Sequence, residues 1–197
     1  MTRSPGTIEQ ASRSGFSLIE LLIVLAIIMA IAGLAWPSFQ NSLRTHQLKS
    51  DSERVRDFLS RGRIEAIDSG VIYQFRYEPS GTYVVLVPWE QVDESEEGGG
   101  PILRRYSDGV DEGLSFRAVG GDVSTVSERL ENDAFNGLDA AATLSQVSWS
   151  EAILFYPDGT ADGGSFELVD DKNQYVTLDV RGLTGAASVS EIYGEEP

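Results

Sequence analysis

The chain has 197 residues, of which 41% are hydrophobic, and its 31 acidic and 15 basic residues give a net charge of -16. A surface this acidic repels nucleic acid phosphates and anionic headgroups, so it argues against a nucleic-acid-binding function and suits either solubility or a basic partner. The chain contains no cysteine, which excludes disulfides and thiolate metal sites. Its hydrophobic content is sufficient for one domain of ordinary size.

The amino-terminal residues divide into a polar leader and an apolar run. Residues 1–15 are mostly polar and carry Arg3 and Arg13 against one acid. Residues 16–36 are almost entirely apolar and contain a single charged residue, Glu20. A helix of this length spans roughly 30 Å, which is the thickness of the hydrocarbon core of a bilayer. Because an ionised carboxylate in such a helix is costly, Glu20 is predicted to have a positive partner.

The junction between the leader and the apolar run carries a specific motif. The segment Arg13-Ser14-Gly15-Phe16-Ser17-Leu18-Ile19-Glu20-Leu21 resembles the class III signal of type IV prepilins and pseudopilins. The resemblance implies cleavage between Gly15 and Phe16 by a prepilin peptidase, N-methylation of Phe16, and retention of the apolar segment in the mature protein. It also implies that Glu20 neutralises the terminal amine of a neighbouring subunit as a filament grows.

The same resemblance implies a set of partners and no cofactor. The expected partners are other pseudopilins or pilins in a filament, the prepilin peptidase and methylase, an inner-membrane assembly platform, and the lipid bilayer before assembly.

Two other interpretations of residues 16–36 can be compared with this one. A secretory signal peptide requires a small-residue cleavage site after its apolar core, and Trp36-Pro37-Ser38-Phe39 does not provide one. A plain single-span anchor fits the length but leaves Glu20 and the Gly15–Phe16 junction unexplained. In either membrane interpretation the leader arginines favour a cytoplasmic amino terminus. We therefore expect a single-pass protein of the inner membrane with its globular part in the periplasm.

One long helix is predicted from about Ser17 to Asp68, ended by Ser69-Gly70. Pro37 is expected to kink this helix without ending it, because helical periodicity continues through residues 37–69. The apolar positions at helical spacing are Leu43, Leu48, Val55, Phe58, Leu59, Gly62, Ala66 and Ile67. The charged residues predicted to fill the other faces are Arg44, Lys49, Asp51, Glu53, Arg54, Arg56, Asp57, Arg61 and Arg63.

Residues 70–197 predict a single β-rich globular domain. The fold class is therefore α+β, with a long amino-terminal helix packed on an antiparallel β-sheet in a pilin-like arrangement. A hairpin is predicted around Glu78-Pro79-Ser80-Gly81, and residues 120–146 are expected to form an insertion with one short helix near Ser127–Phe135. The predicted strands cover residues 71–77, 82–87, 102–106, 114–119, 152–156, 165–169, 175–180 and 187–189.

The order of elements in the last fifty residues resembles the carboxy-terminal domain of GspH/FimT-type minor pseudopilins. An aromatic and apolar strand leads into the turn Pro157-Asp158-Gly159, and two further strands follow. A Thr184-Gly185 turn then precedes the final strand. The acidic loop at 90–101 and the insertion at 120–146 are not part of this resemblance.

Two acidic segments invite comparison with cation sites. Residues 158–163 place oxygen ligands at alternate positions like a calcium loop, but the twelfth position is Val169, where a bidentate Glu is needed. A Pro-Asp-Gly turn explains the same residues without an ion. A second group could meet around a cation, although a solvated acidic loop is the simpler interpretation. That group consists of Asp93, Glu94, Glu96, Glu97, Asp108, Asp111 and Glu112.

No pattern indicates catalysis. The single histidine, His46, lies among polar residues of the long helix and is predicted to be a surface residue. Nucleophile-elbow and phosphate-loop motifs are absent from the sequence. Trp36 is predicted at the membrane interface, and Trp89 and Trp149 are predicted at core or edge positions of the sheet.

The sequence therefore predicts a structural subunit and not an enzyme. The resemblance implies a minor pseudopilin of a type II secretion system, and the alternative is a minor pilin of a type IV pilus, including a FimT-type role in DNA uptake. A DNA receptor of this kind would need a basic surface. Between Tyr156 and the carboxy terminus, however, the only bases are Lys172 and Arg181.

Overall fold

The protein is described here by a computed structural model that covers residues 16–89, 103–119 and 130–194, without the side chains of residues 34–41. The chain divides into two compact units, Met1–Ser42 and Leu43–Pro197. The division of the chain predicted from the sequence, at residues 15, 36 and 69, stays a prediction.

A single helix, α1, runs from Leu18 to Ser69 and confirms the predicted long helix to within one residue at each end. It continues through Pro37, while the predicted kink there stays a prediction. The helix ends where Gly70 adopts a φ of +72° and donates its N–H to the Ala66 carbonyl oxygen at 3.0 Å. A glycine in this left-handed conformation is a common helix terminator, because it carries no Cβ to clash.

The carboxy-terminal half of α1 buries one stripe of residues in the globular unit. Leu48, Val55, Leu59 and Ala66 are almost fully buried. Gly62 lies on the same stripe, where an added Cβ would come within 2.9 Å of side-chain atoms of Leu86 and Phe155. The predicted amphipathic face is therefore confirmed at its centre, and a glycine at position 62 allows the helix to approach the sheet closely.

The edges of that stripe differ from the prediction. Leu43 and Ile67 were expected on the apolar face, but they are 48% and 45% exposed. Asp51 was expected on a charged outer face and is buried, as is Glu65. The physical reason is that β3 and the loop after it offer these two carboxylates hydrogen-bond donors, which a pattern of hydropathy does not record.

The first sheet has four strands in the order β3-β2-β1-β5, all antiparallel to their neighbours. Its strands are β1 (Tyr73–Tyr77), β2 (Tyr83–Pro88), β3 (Tyr106–Gly109) and β5 (Ile153–Phe155). The predicted hairpin between β1 and β2 is confirmed, and its loop is closed by Glu78, whose N–H donates to the Tyr83 carbonyl oxygen at 2.9 Å.

The second sheet has the order β4-β6-β7-β8, with β9 also paired to β7. Its strands are β4 (Leu114–Ala118), β6 (Gly164–Asp170), β7 (Gln174–Arg181), β8 (Ala186–Val189) and β9 (Tyr193–Gly194). Two isolated bridges, Pro79 with Phe116 and Phe155 with Ala161, join the two sheets. The predicted class, α+β with a helix packed on antiparallel sheet, is thereby confirmed.

The main core lies between α1 and the inner faces of both sheets, and aromatic rings occupy its centre. The Phe166 ring stacks on Phe75 with 5.5 Å between centroids and on Tyr77 with 4.8 Å. Phe58 of α1 meets Phe75 edge-on at 6.2 Å. Such pairs contribute about 0.5–1.5 kcal/mol each beyond the area they bury, so this stack ties the helix and the two sheets together.

A second, smaller core covers the outer face of the first sheet. Val85 and Val87 of β2 point away from the main core and pack with Phe135, Leu144 and Trp149. Phe135 and Leu144 come from the segment predicted as an insertion, which forms a 3₁₀ helix (Asn132–Phe135) and a short helix α2 (Ala141–Leu144), and Trp149 follows it. Residues 130–149 therefore form a lid over the sheet.

Two predicted elements have different bounds in the structure. The strand expected at residues 102–106 begins only at Tyr106 and runs to Gly109. The backbone of Arg104 is bonded instead to the Tyr73 hydroxyl, which donates to its carbonyl oxygen at 3.0 Å and accepts from its N–H at 3.1 Å. The helix expected near Ser127–Phe135 is a 3₁₀ helix over its last four residues, and residues 127–129 lie outside the described part.

Candidate functional site

The candidate site is the apolar segment at residues 16–33, whose side chains are all exposed. Phe16 and Leu18 are each 75% exposed, and the large apolar residues that follow on α1 are between 45% and 64% exposed. A helix that is apolar on every side is stable only when lipid or other helices shield it from water. This segment therefore requires an apolar environment or apolar partners.

Glu20 is the one charged residue of this segment and lies in the first turn of α1. Ser17 directly precedes the helix, and its carbonyl oxygen accepts hydrogen bonds from the N–H groups of Glu20 at 3.0 Å and Leu21 at 3.2 Å. A carboxylate in this position is favoured by the positive end of the helix dipole. Within residues 16–89, 103–119 and 130–194, nothing forms an ion pair with Glu20, and its side chain is exposed.

The structure places the other predicted site residues separately. Phe16 lies just before α1 and is exposed, whereas Gly15, with the rest of the leader, lies outside the described residues. Pro37 lies within α1, and its side chain is outside the described part. Cleavage at Gly15, methylation of Phe16 and the assembly role of Glu20 stay predictions.

Sequence reasoning missed a polar contact between α1 and the loop after β3. The buried Asp51 accepts a hydrogen bond at Oδ2 from the Asp111 N–H at 2.8 Å and pairs with Arg54 at 3.5 Å. Arg54 also pairs with Asp108 at 3.3 Å and donates to the Gly109 carbonyl oxygen. Asp51 falls three residues after Leu48 and four before Val55, and this helical spacing is the signal that could have identified it.

A second missed contact lies farther along the helix at Glu65. The Tyr106 hydroxyl donates to Glu65 Oε1 at 2.6 Å, and Arg104 lies 3.6 Å from the same oxygen. Burial raises the pKa of Tyr106, and its hydrogen bond to the Glu65 carboxylate raises it further. Burial also raises the pKa of Tyr73, whose hydroxyl is bonded to the Arg104 backbone. The contacts of Glu65 with Tyr106 and Arg104 hold the start of β3 against α1.

The loop that imitates a calcium site is held by its own hydrogen bonds. Asp158 Oδ1 accepts from the Thr160 N–H at 2.9 Å and the Thr160 hydroxyl at 2.6 Å, and the hydroxyl contact is the larger cause of the lowered pKa of Asp158. The Tyr156 hydroxyl donates to Asp162 at 3.0 Å, which raises the pKa of Tyr156. Gly159 has a φ of +84°, as a turn requires.

The acidic residues at 93–97 lie outside the described part, while Asp108, Asp111 and Glu112 lie within it. Asp108 is paired with Arg54, as described above. In the ranges that the structure describes, no group of three His, Cys, Asp or Glu side chains is arranged to hold a metal ion.

The remaining candidates are dispersed. His46 is exposed on α1, as predicted, and Trp149 is fully buried in the second core. Trp89 follows β2 and is 44% exposed, while the Trp36 side chain is not described. Lys172 lies in the turn before β7, and Arg181 is the last residue of that strand. They therefore do not form one basic patch.

Comparisons with known proteins agree with the amino-terminal motif. The family described as the prokaryotic N-terminal methylation motif matches residues 10–36. This match confirms the prepilin-type signal expected from the sequence. The motif implies anchoring in the inner membrane. Within the described residues, no helix meets both the length and the apolarity required of a membrane span.

No curated protein sequence matches the chain significantly. Among solved structures, the chain is similar to the minor pseudopilin EpsH from the type 2 secretion system of Vibrio cholerae. The identity is 9%, the TM-score is 0.44, and the alignment covers 77% of this chain and 99% of that one.

Proposed function

We propose that the protein is a minor pseudopilin of a type II secretion system, a structural subunit of the short periplasmic filament that promotes protein export. The observation that carries the proposal is the prepilin-type motif at residues 10–36, placed directly on an exposed apolar helix. A segment of that kind can leave the bilayer only by packing with similar helices, as it would in a filament.

In this proposal Phe16 is the mature, methylated amino terminus after cleavage at Gly15. Glu20 pairs with the terminal amine of a neighbouring subunit, which removes two costly charges from the apolar bundle. Residues 16–36 span the inner membrane before assembly, with the leader in the cytoplasm and the globular unit in the periplasm. The partners are other pseudopilins, the prepilin peptidase and the assembly platform, and the role is structural and not enzymatic.

Processing is tested by the intact mass of the protein extracted from membranes of cells with an active prepilin peptidase. The expected species begins at Phe16 and carries one added methyl group. Recovery of a chain that still begins with the leader would contradict this part of the proposal.

The role of Glu20 is tested by crosslinking in cells that contain the complete assembly machinery. Glu20→Gln should leave insertion and cleavage intact but strongly reduce crosslinks to neighbouring subunits, because the amide cannot neutralise an amine. The matched control is Glu151→Gln, which changes an exposed acid of the globular unit. Equal crosslinking of both variants would show that Glu20 has no part in assembly.

The type II assignment is tested against a type IV pilus by deleting the gene. Retention of exported enzymes in the periplasm, with surface pili intact, is the expected result. The DNA-uptake alternative predicts salt-sensitive binding of duplex DNA by the detergent-solubilised protein. We expect no such binding in the micromolar range, because the net charge is -16 and the carboxy-terminal bases are separated.

A further inference from the structure

A polar pocket lies between the start of the amphipathic half of α1 and the end of β6. It has a volume of about 130 Å³ and is lined by Arg44, Gln47, Glu112, Leu114, Asp170 and Asp171. Its charged groups are three carboxylates and one guanidinium, and the guanidinium of Arg44 is already paired with Asp171. The pocket therefore has a negative excess even with its internal pair formed.

Asp170 is the least exposed of these three carboxylates, and its burial follows from the alternation of side chains along β6. Phe166 and Leu168 of β6 point into the main core, and Asp170 is the next residue of the same face, opposite Leu114 of β4. Only 6% of Asp170 is exposed. A strand position that normally carries an apolar side chain thus carries a carboxylate at the edge of the pocket.

The two oxygens of Asp170 have different surroundings. Oδ1 accepts hydrogen bonds from the N–H groups of Lys172 and Gln174, both at 2.8 Å, and these bonds form the turn between β6 and β7. Oδ2 is buried and has no hydrogen-bond partner among the residues that the structure describes. A buried carboxylate oxygen without a donor costs free energy, so a ligand that supplies one would bind favourably.

From this geometry we infer that the pocket receives the cationic end of a lysine or arginine side chain from a neighbouring subunit. A cavity of this volume exceeds the roughly 10–15 Å³ needed for one water and accommodates the end of a long side chain. The incoming charge would pair with Asp170 and Glu112 while Arg44 stays on Asp171. A metal ion is disfavoured, since the described residues provide no cluster of three suitable ligands. The inference rests on the proposed role as a filament subunit.

The test places a photoreactive amino acid at Gln47, on the pocket wall, in the full-length protein within cells that contain the assembly machinery. The same probe at Ile27, in the apolar segment, reports filament incorporation independently. Asp170→Asn should lower the Gln47 crosslink to a neighbouring subunit about tenfold while the Ile27 crosslink persists, because a buried charge pair at an interface is lost. Glu112→Gln should lower it less. Asp179→Asn, an exposed acid on β7, is the matched control and should change neither crosslink.

Thermal unfolding of the purified full-length variants provides the second measurement. Asp170→Asn should unfold at the same temperature as the unaltered protein or higher, because it keeps an oxygen for the turn and removes an unpaired buried charge. A lower unfolding temperature, together with loss of both crosslinks, would identify a purely structural residue and overturn the inference. Sequencing of the crosslinked peptide should find a basic residue, and its exchange for Gln should lower the Gln47 crosslink as Asp170→Asn does while the Ile27 crosslink persists.

Two further results would also overturn the inference. An unchanged Gln47 crosslink in Asp170→Asn would exclude the charge pair while leaving the proposed filament role intact. A Gln47 crosslink that disappears on treatment with a chelator would assign the pocket to a metal ion. If the unaltered protein gives no crosslink from either Gln47 or Ile27, the proposed function and this inference fail together.

Discussion

The two β-sheets share one core through their inner faces, but their outer faces differ. The outer face of the first sheet is covered by the segment that carries Phe135, Leu144 and Trp149, so β1 and β2 are buried on both sides. On β4 and β7 the outer face of the second sheet carries Arg117, Tyr175 and other polar or half-exposed side chains in alternation with the core residues. On β6, Glu167 and Val169 of the same face are buried. A strand covered on one face alternates in polarity, whereas a strand covered on both does not.

The polar residues of the two outer faces show the same contrast. Gln74 and Arg76 of β1 are buried under the lid, where Arg76 donates to Gln74 Oε1 at 2.8 Å and to the Ser150 carbonyl oxygen at 2.9 Å. On the open face, Arg117 pairs with Glu167 at 2.5 Å and lies over the Tyr175 ring. Burial makes the first set obligatory for stability, whereas in the second set Glu167 is buried and solvent reaches only the Arg117 side of the pair.

The largest difference in stability between the two faces is expected when one aromatic side chain is removed from each. Trp149→Ala should lower the free energy of unfolding by about 3–5 kcal/mol, because it leaves a cavity in the second core. The matched variant Tyr175→Ala on the open face should cost only about 1 kcal/mol. Chemical denaturation monitored by circular dichroism measures both. Equal losses of unfolding free energy in the two variants would contradict the stabilising role of the lid that the structure indicates.

A smaller difference is expected between the two arginines. Arg76→Met should cost about 2–3 kcal/mol, because buried acceptors lose a charged donor. Arg117→Met should cost less, about 1 kcal/mol, since Arg117 is partly exposed and water can take the place of its guanidinium beside the buried Glu167. The same denaturation experiment applies. A larger loss for Arg117 than for Arg76 would reverse the assignment of the two faces.

A pH-dependent effect is expected at the turn that leads from β5 towards β6. The folded pKa of Asp158 lies below its ordinary value of 3.8, so its carboxylate stabilises the fold above that pH. This contribution is lost as the pH falls through the folded pKa. The stability difference between the unaltered protein and Asp158→Asn should therefore be present at pH 6 and shrink below about pH 4. Thermal unfolding at both pH values checks this, and a difference that grows with acidity would contradict it.

The smallest effect is expected from removing residues 1–42. Both sheets and both cores belong to the unit Leu43–Pro197, and the helix residues that cover the sheets are retained. The fragment should fold alone and unfold in one cooperative transition that includes both sheets. Two separate transitions, or a fragment without ordered structure in circular dichroism, would show that the first sheet and the second sheet are not one folding unit.

The sequence alone determined the features that depend on local pattern. The apolar run with Glu20, the helix end at Ser69-Gly70 and the β1–β2 hairpin follow from hydropathy, periodicity and turn residues, and their bounds agree closely with the structure. The prepilin-type motif at residues 10–36 is contiguous along the chain, so the order of its residues is sufficient to recognise it.

Only the tertiary structure decided which polar residues are buried and what the insertion does. Asp51, Glu65 and Arg76 have polar side chains, so hydropathy places them at the surface. Each is buried against a partner far away along the chain, namely Asp111, Tyr106 and Ser150 in that order. The lid has little periodicity because it contributes only isolated anchors, such as Trp149, to a face formed by other strands. Burial of a polar group depends on donors and acceptors brought together by the fold, and no local pattern records them.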